Sequence, residues 1–347
     1  MSGELSHTPA LAGGSCTERA HAKVNLCLFV GARRPDGYHP VATVLQTLAL
    51  HDDVHIAWHG FERADPAGAR FAPTRIRVTS NDVTLPQDRE NLAGRAVAAL
   101  VPAINRRGLA GGHVEVFIAK RIPVAAGLGG GSADAAAVLR GLNRGLMLGL
   151  SEAEMIRIAA TVGSDVPGCL VGGTVFCRGR GEWVTPVPAG RLWWVLAHPG
   201  GAGLSTGAVY AEFDRRLSEA LRRDDLERPL GEQAPGLEEA LRAGEAGRLA
   251  PYLANDLERP AMHLDPGLAA LVARVRAVGA VAALVSGSGP TVAALAAGAD
   301  AARELAERIR PGAAWVWWGP SFDPRADGGE DATWEGSNRC NSTATSR

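Results

Sequence analysis

A glycine-rich segment from Ile122 to Ala137 is the feature of this sequence most suggestive of chemistry. It reads IPVAAGLGGGSADAAA, and residues 127–131 include four glycines. Glycine loses extra conformational entropy on folding, so such a cluster is costly unless the bare backbone has a use. Successive N–H groups at a helix start can converge on an anion, which the helix dipole also favours. The segment therefore predicts either a tolerated flexible loop or a phosphate-binding loop.

Two common nucleotide-binding loops fit this segment poorly. A dinucleotide-binding fingerprint needs a third glycine where Ser132 stands, and an acidic residue about 20 positions later. A P-loop needs a closing Gly-Lys-Ser/Thr, which the segment lacks. The remaining reading is a phosphate cradle without that lysine. Lys120 lies just upstream, and Ser132 could cap the helix or turn towards phosphate or magnesium.

Composition limits the class of protein. A length of 347 residues favours about two domains. The net charge of −1 gives no electrostatic footprint for nucleic acid or an anionic membrane. Five scattered cysteines predict neither disulfides nor a zinc site. The N-terminus lacks the pattern of a signal peptide, and no apolar run reaches the roughly 18 residues of a membrane span. We expect a cytoplasmic protein with neither nucleic acid nor membrane as a partner.

Hydrophobic periodicity predicts two blocks of secondary structure. Predicted strands are 22–29, 41–50, 75–78, 114–118, 173–179, 192–197, 282–285, 291–295 and 314–318. Predicted helices are 132–142, 151–163 (opened by a Ser-Glu-Ala-Glu capping box), 208–223, 237–246, 268–278 and 300–310. Strands first, then helices interleaved with strands, predict an α+β fold with two lobes and a ligand cleft between them.

Two further segments follow the order of a known family. They are AKVNLCLFVGARRPDGYHPVATVLQTLALHDDV (22–54) and VSGSGPTVAAL (285–295). With PVAAGLGGGSADAA they resemble the three motifs of the GHMP kinases. The pattern A-K-x-N-L-x-L followed by R-R-x-D-G-Y-H is similar to the branch that acts on a cytidyl-diphosphate sugar alcohol. GSDVPGCLVGGTVFCRGRGE (163–182), LAHPG (196–200) and NDLE (255–258) also match, so the resemblance covers about residues 20–319.

The resemblance implies a two-lobed GHMP kinase fold. Its N-terminal domain would be a ribosomal-S5-like β/α domain, its C-terminal domain ferredoxin-like α/β, and its active site the cleft between. We therefore predict a flexible tail at 1–19, an ATP-binding N-terminal domain at 20–190, a C-terminal domain at 191–319 and a disordered tail at 320–347.

The resemblance also implies an ATP-dependent kinase that uses Mg²⁺. The small-molecule substrate would be cytidyl-diphosphate methylerythritol, and the protein a monomer or homodimer. Asp165 corresponds to the catalytic aspartate and Lys23 to its partner. Seen alone, Asp165 could be a helix N-cap and Lys23 a solvated edge-strand charge. A carboxylate is a weaker base than an alkoxide by about 16 kcal/mol, so we expect Asp165 to orient the hydroxyl and accept its proton late.

The binding residues are carried over in the same way. The nucleotide is expected at Lys120, Pro123, Ala125, Ala126, Gly127, Leu128, Gly129, Gly130, Gly131 and Ser132. The substrate is expected at Asn25, Tyr38, His39, Thr206, Tyr210, Ser286, Gly287, Ser288 and Gly289. Tyr38 and Tyr210 would stack on the cytosine, for about 1–3 kcal/mol per stacked base, and His39 would bond its edge. An extra residue after LAHPG leaves open whether Ser205 or Thr206 contacts substrate, and Ser132 is the one candidate metal ligand.

Three other functions remain open at this point. The chain could be another GHMP kinase, acting on homoserine or mevalonate, although the RPDGYH segment favours the cytidyl substrate. It could be a non-catalytic nucleotide-binding protein, although the presence of both Lys23 and Asp165 argues against that. It could be a nicotinamide-dependent oxidoreductase, although the acidic ribose ligand is missing.

Overall fold

The computed structural model describes residues 13–63, 73–201, 203–220 and 236–327. Within these ranges the strands are β1 (Gly14–Val30), β2 (Val41–Arg63), β3 (Arg75–Ser80), β4 (Leu109–Ala119), β5 (Thr174–Gly179), β6 (Trp183–Pro186), β7 (Trp193–His198), β8 (Ala254–Asn255), β9 (Ala282–Val285), β10 (Val292–Ala296) and β11 (Trp315–Pro320). The α-helices are α1 (Leu92–Arg106), α2 (Gly130–Gly145), α3 (Glu152–Val162), α4 (Val166–Val171), α5 (Thr206–Ala220), α6 (Leu237–Ala243), α7 (Ala246–Leu249), α8 (Glu258–Leu264), α9 (Pro266–Ala277) and α10 (Ala299–Ile309).

The larger sheet is built around two long antiparallel strands. Its order is β3-β4-β2-β1-β8, with β5 beside β2 and β6 beside β5. Strands β1 and β2 pair from Gly14↔Trp58 to Val30↔Val41. The apolar faces of α1 and α2 cover one side of this sheet, and Val97, Leu139 and Ile56 lie in their shared core. The alternation of apolar residues along the strands provides this buried face.

The smaller sheet joins the second lobe to the first. Its order is β11-β7-β10-β9, and all its strand pairs are antiparallel. Val195 and Val285 face the core that includes residues of α9 and α10. Trp194 and Leu284 point the other way and pack with Val24 of β1. The α+β prediction with two lobes is confirmed.

The predicted N-terminal tail was too long. Residues 14–19 form the first part of β1 and pair with β2, while residues 1–12 lie outside the described ranges. Cys16 and Ala20 are buried there. The inward-facing residues are the small Cys16 and Ala20 and the charged Glu18, and the intervening residues are polar. The segment therefore carries little hydrophobic signal.

The predicted C-terminal tail was also too long. Ser321 bridges to Leu48, and the Phe322 ring stacks on His21 at 3.7 Å between centroids. Residues 320–327 are therefore packed against both sheets, and 328–347 lie outside the described ranges.

Most predicted helices are present with shifted ends. The capping box of α3 is confirmed, since Ser151 and Glu154 bond reciprocally. Helix α2 begins at Gly130 rather than Ser132, and α5 is described only to residue 220. The helix predicted at 237–246 is two helices, α6 and α7, because Gly244 ends α6 in a left-handed conformation (φ 65°).

Candidate active site

Lys23 and Asp165 lie where the two lobes meet, at the position predicted for the cleft. Lys23 Nζ lies 3.4 Å from Asp165 Oδ2, and the two side chains are 4% and 41% exposed. The lysine is thus buried in the sheet, whereas the carboxylate can be reached from outside. This is the arrangement of a fixed cation that holds an accessible anion in place.

A β-bulge lies next to Lys23. The pairing of β1 with β2 shifts between His21 and Lys23, where β2 has two more residues than β1. Ala20 belongs to the core that includes the helices, whereas Ala22 and Val24 belong to the core shared with the second lobe. Lys23 lies beside Asp165 and the start of α2.

Asp165 does not use its side chain as a helix cap. It occupies the N-cap position of α4, but its carboxylate makes no capping hydrogen bond. The structure therefore does not support the simpler alternative for this residue. Its carboxylate oxygen faces the lysine ammonium instead.

A buried chain of hydrogen bonds fixes the lysine. Lys23 Nζ donates to Asn25 Oδ1 at 2.7 Å, and Asn25 Nδ2 donates to Thr43 Oγ1 at 2.8 Å. The Thr43 hydroxyl in turn donates to the Cys27 carbonyl at 2.6 Å. Each buried polar group has a partner, which keeps Lys23 and Asn25 in one orientation.

The glycine-rich segment ends in an uncapped helix N-terminus. Gly129 is the N-cap of α2 with a φ of 68°, and it has no side chain to cap the helix. The first backbone bond of α2 runs from Ala133 N–H to Gly129 O at 2.9 Å, which leaves the N–H groups of residues 130–132 without helical partners. The Ser132 hydroxyl, at the third helical position, does not cap the helix. This geometry fits an anion at the start of α2.

The three sequence motifs interlock around this helix start. Lys23 N–H donates to Leu128 O at 2.9 Å, and Ser286 Oγ donates to Gly127 O at 3.0 Å. A Cβ atom at Gly287 would stand 3.2 Å from Lys23 Nζ. A Cβ at Gly127 would stand 2.3 Å from Ser286 O, so glycine is required where the two loops touch. Segments more than a hundred residues apart thus form one site.

Lys120 approaches the glycine loop from the protein interior. Its Nζ donates to Asp52 at 2.5 Å and to Asp134 at 2.9 Å, and its side chain is 6% exposed. It lies beneath Gly130, where a Cβ would be 3.1 Å from Nζ. Burial raises the pKa of Asp134 to about 7, and the negative charge of Asp52 adds to this. With both carboxylates engaging the ammonium, this placement favours fixing the loop over direct contact with phosphate.

Aromatic residues gather at the other end of the cleft. Tyr38 is half exposed, and the Arg180 guanidinium lies 3.5 Å from its ring centroid. The His39 ring is 4.9 Å from the Tyr210 ring, and its Nε2 lies 2.8 Å from Asp214 Oδ1. Burial raises the pKa of the Tyr210 hydroxyl to about 12, with Asp165 adding to the effect, so this phenol stays neutral.

The remaining expected residues lie between these two groups. The hydroxyls of Thr206 and Ser288 are 3.1 Å apart, which links the start of α5 to the third motif. Ser205 precedes α5 and accepts the Val209 N–H through its carbonyl. Gly289 contacts the glycine segment, since its carbonyl would be 2.9 Å from a Cβ at Gly127. The geometry favours Thr206 over Ser205 as the residue joined to the third motif.

Four residues near the cleft were given no role by the sequence. Asn255 Nδ2 donates to the carbonyls of Val285 and Gly287, both at 2.7 Å, and Glu258 accepts from Val285 N–H at 2.9 Å. Asp214 and Arg180 flank His39 and Tyr38. Asn255 and Glu258 belong to the NDLE match, and Arg180 belongs to the match at 163–182, so both segments gave a signal. Asp214 lies in none of the matched segments, and its partner His39 is far away in sequence.

Neither a metal-binding cluster nor the recess described below identifies this cleft. Across the described ranges, no group of three or more His, Cys, Asp or Glu side chains is placed to hold a metal ion. A recess of about 1210 Å³ runs along another part of the molecule, beside Arg19 and Arg144, and its lining contains none of the cleft residues discussed above. The chemistry of the side chains, and not cavity size, identifies the site.

The chain is similar to known families in both halves. The model of the GHMP kinases N terminal domain matches residues 91–173, and that of the GHMP kinases C terminal matches residues 237–312. Among the helices that the structure describes, none is both long and apolar enough to cross a bilayer.

Full-length relatives carry more specific names. The 4-diphosphocytidyl-2-C-methyl-D-erythritol kinase of Leifsonia xyli subsp. xyli is 43% identical over 292 residues, which are 83% of this chain and 90% of that protein. The protein of the same name from Nocardia farcinica is 44% identical over 293 residues, which are 84% of this chain and 88% of that one.

Solved structures agree on the fold. A crystal structure of 4-(cytidine 5'-diphospho)-2C-methyl-D-erythritol kinase is 33% identical, with a TM-score of 0.65, and the match covers 88% of this chain and 99% of that one. Homoserine kinase from Cytophaga hutchinsonii has the same TM-score of 0.65 at 19% identity, with 93% and 96% covered. The shared fold thus extends to kinases of other substrates, while sequence identity separates the branches.

Proposed function

The chain belongs to the GHMP kinases, within the family of the 4-diphosphocytidyl-2-C-methyl-D-erythritol kinases, and we propose that it phosphorylates that cytidyl compound with ATP. The acceptor is the 2-hydroxyl of the erythritol unit. The reaction belongs to the non-mevalonate route to isopentenyl diphosphate.

One observation carries the proposed chemistry: an accessible carboxylate held by a buried lysine beside an uncapped helix start. Asp165 and Lys23 are 3.4 Å apart, and the side chain of Lys23 lies against Gly129, the N-cap of α2. A hydroxyl acceptor near Asp165 and a phosphoryl group at α2 would then meet in the same cleft. Positioning of this kind is the main catalytic requirement of phosphoryl transfer.

Each side chain has a separate task in the proposed mechanism. Asp165 accepts a hydrogen bond from the acceptor hydroxyl and orients it. It takes the hydroxyl proton as the new O–P bond forms and the bond between the γ-phosphorus and the departing ADP breaks. Lys23 holds the carboxylate in place and stabilises the negative charge that develops. Asn25 holds the lysine in this orientation through their 2.7 Å bond and can reach the erythritol end of the substrate.

The nucleotide is proposed to bind along the glycine segment. The N–H groups of residues 130–132 face an anion without competition from a capping side chain. When bound, ATP with Mg²⁺ supplies the phosphoryl group and a cation that neutralises phosphate charge. The donor set fits a magnesium ion held mostly by phosphate oxygens and water, with the Ser132 hydroxyl as the protein ligand.

The base of the substrate is proposed to bind at the aromatic end of the cleft. Tyr38 offers a half-exposed ring, and Tyr210 lies beside His39 on the facing lobe. Stacking on such rings accepts any base, so the choice of base has to come from hydrogen bonds. Thr206, Ser288 and Gly287 line the path towards Lys23.

The remaining properties follow from composition. We propose a cytoplasmic enzyme with a small-molecule substrate, without nucleic acid or membrane as a partner, and either monomeric or homodimeric. The near-zero net charge of −1 supports the absence of a polyanionic partner.

The test is substrate-dependent release of ADP. The purified protein is incubated with Mg²⁺, ATP and, in separate reactions, the cytidyl substrate, homoserine or mevalonate. We expect turnover with the cytidyl compound and none above background with the other two. Turnover of homoserine or mevalonate alone would assign the chain to another branch of the family.

A further inference from the structure

His39 is held by a residue of the opposite lobe. Its Nε2 lies 2.8 Å from Asp214 Oδ1, and the two positions are 175 residues apart. His39 follows the turn between β1 and β2, whereas Asp214 is on α5, one helical turn after Tyr210. The His39 side chain is 7% exposed, and Tyr210 and Phe213 also pack against its ring. The imidazole is therefore fixed both by packing and by one charged hydrogen bond.

This contact determines which ring nitrogen carries the proton. An ionised carboxylate only accepts hydrogen bonds, so Nε2 of His39 has to be the donor. In a neutral imidazole the other nitrogen, Nδ1, is then an acceptor. Within the described ranges Nδ1 has no protein partner, and it is absent from the buried unsatisfied atoms there, which are Asp134 Oδ1 and Thr291 Oγ1. The Nδ1 acceptor is therefore unpaired and not fully buried.

The backbone of His39 offers the complementary group. Its N–H makes no hydrogen bond with any described residue, so this one residue has both an unbonded donor and an unbonded acceptor. The pairing edge of cytosine has an acceptor at N3 beside an amino donor at C4. Uracil has the reverse order, with a donor at N3 and a carbonyl at C4. In one fixed orientation, the two groups of His39 match cytosine and oppose uracil.

We propose that Asp214 is a positioning residue that sets the base preference of this kinase by holding His39 as the Nε2–H tautomer. This inference rests on the proposed function and deepens it, since it names the origin of specificity at the same site. Without Asp214 the ring could protonate at Nδ1 instead and donate to the uracil carbonyl. A site whose polar groups are left unpaired by the wrong base rejects that base strongly.

The kinetic test compares two substrates that differ only in the base. kcat/KM is measured with the cytidyl and the uridyl diphosphates of methylerythritol for the wild type, Asp214→Asn and Asp214→Glu. The wild type is expected to prefer the cytidyl compound at least 100-fold. The amide of Asp214→Asn can accept from Nε2–H or donate to an unprotonated Nε2, so this variant should reduce the ratio at least tenfold. Asp214→Glu, which keeps the carboxylate, should retain part of the preference. Asp300→Asn on α10, the same chemical change at a side chain 91% exposed, should leave the ratio unchanged.

A second measurement needs no turnover. Nitrogen-15 NMR of histidine-labelled protein distinguishes the two neutral tautomers, and the His39→Gln variant assigns the signal. We expect the Nε2–H form in the wild type and a mixture in Asp214→Asn. An Nδ1–H or doubly protonated His39 in the wild type at assay pH would overturn the proposal, even if the variants fail to fold.

The kinetic results distinguish a failure of the proposed function from a failure of the role proposed for Asp214. No turnover of the cytidyl compound by the wild type would remove the proposed function itself. Equal turnover of both compounds by the wild type, or an equal loss of both in Asp214→Asn, would remove only the role of Asp214.

Discussion

Asp165 and Lys23 form an ion pair of unequal partners, because the lysine is buried and the aspartate is 41% exposed. Such a pair contributes little to stability, since the carboxylate remains solvated. Its value lies in orientation: the buried network through Asn25 and Thr43 fixes the cation, and the cation fixes the carboxylate. The two residues should therefore affect turnover far more than folding.

Replacing Asp165 by Asn tests this role. The amide keeps the shape of the side chain but cannot take a proton, so we expect kcat to fall by about 10²- to 10⁴-fold. The dissociation constant for ATP, measured by calorimetry, should change less than about threefold, because the proposed nucleotide contacts lie on the glycine segment and the start of α2. Asp300→Asn serves as the control. A near-normal kcat in the Asp165→Asn variant would contradict the assignment.

The Lys120 cluster predicts a specific pH dependence of stability. Burial raises the pKa of Asp134 to about 7, so the native state keeps a proton that the unfolded chain releases near pH 4. Between these values the native state binds more protons, and the free energy of unfolding falls as pH rises. The loss is at most about 4 kcal/mol, from a shift of about three pH units at 1.36 kcal/mol each.

The measurement is urea unfolding of the wild type and Asp134→Asn from pH 4 to pH 8. Asparagine can still accept from Lys120 but does not titrate. The stability of the wild type relative to the variant should therefore decrease with rising pH. A difference that stays constant across this range would show that Asp134 does not titrate there.

At the residue scale, the sequence supplied the motif residues but not the partners that orient them. Lys23, Asn25 and Asp165 lie in recognisable segments, and the structure brings them together. Asp214 carries no local signal, because its contact with His39 closes a loop of 175 residues. The fold alone creates that contact.

At the scale of elements, the contact between the glycine segment and the third motif requires a residue without a side chain at position 127. Gly127 has a φ of 74°, and a Cβ there would meet two carbonyl oxygens, of Ser286 at 2.3 Å and Gly289 at 2.9 Å. Backbone atoms of two loops cannot move apart without opening the cleft. Both conformation and contact therefore require glycine at this position.

Gly127→Ala is expected to raise KM for ATP about tenfold and to destabilise the fold. Gly108→Ala is a matched control, because Gly108 has a similar φ of 72° and no atom within 4 Å of the added Cβ. The left-handed conformation lowers the free energy of unfolding of both variants by about 1–2 kcal/mol. Chemical unfolding should show Gly127→Ala to be about 2 kcal/mol less stable than the control. Equal stability and unchanged KM would exclude a close contact between the loops.

Elements with regular local signals were predicted, and those without them were missed. The capping box located α3, and alternation located β1 and β4. Helix α1 was missed because Gly94 and Pro102 interrupt its pattern, yet Gly94 is needed where a Cβ would stand 1.8 Å from the Asp88 carbonyl. The second half of β2 contains Asp52 and Asp53, and its pairing with β1 on one side and β4 on the other explains it as a strand.

At the scale of the whole molecule, the chain end ties the two sheets together. After β11 in the smaller sheet, Phe322 N–H donates to Thr47 O at 2.9 Å in the larger one. Thr47 Oγ1 donates back to Phe322 O at 2.6 Å, and Leu192 N–H donates to Ser321 Oγ at 3.0 Å. The division into domains near residue 190 stays a prediction, and β8 shows that the second half also contributes to the first sheet.

Two truncations test whether residues 321–327 hold the two sheets together. A chain that ends after Asp327 keeps all these contacts and should melt like the full chain, with unchanged activity. A chain that ends after Pro320 loses several hydrogen bonds and the stack on His21, for about 2–4 kcal/mol. Its Tm should fall by roughly 3–6 °C. Identical melting of the two truncations would show that residues 321–327 do not hold the sheets together.

The proposed mechanism depends on where the acceptor hydroxyl and the terminal phosphate lie in the site. The most direct measurement is a crystal structure with the cytidyl substrate and a non-hydrolysable ATP analogue. We predict an Asp165 carboxylate oxygen about 3 Å from the acceptor hydroxyl, which is hydrogen-bond distance, and the terminal phosphate against the N–H groups of residues 130–132. A hydroxyl far from Asp165, or a nucleotide bound away from the start of α2, would contradict it.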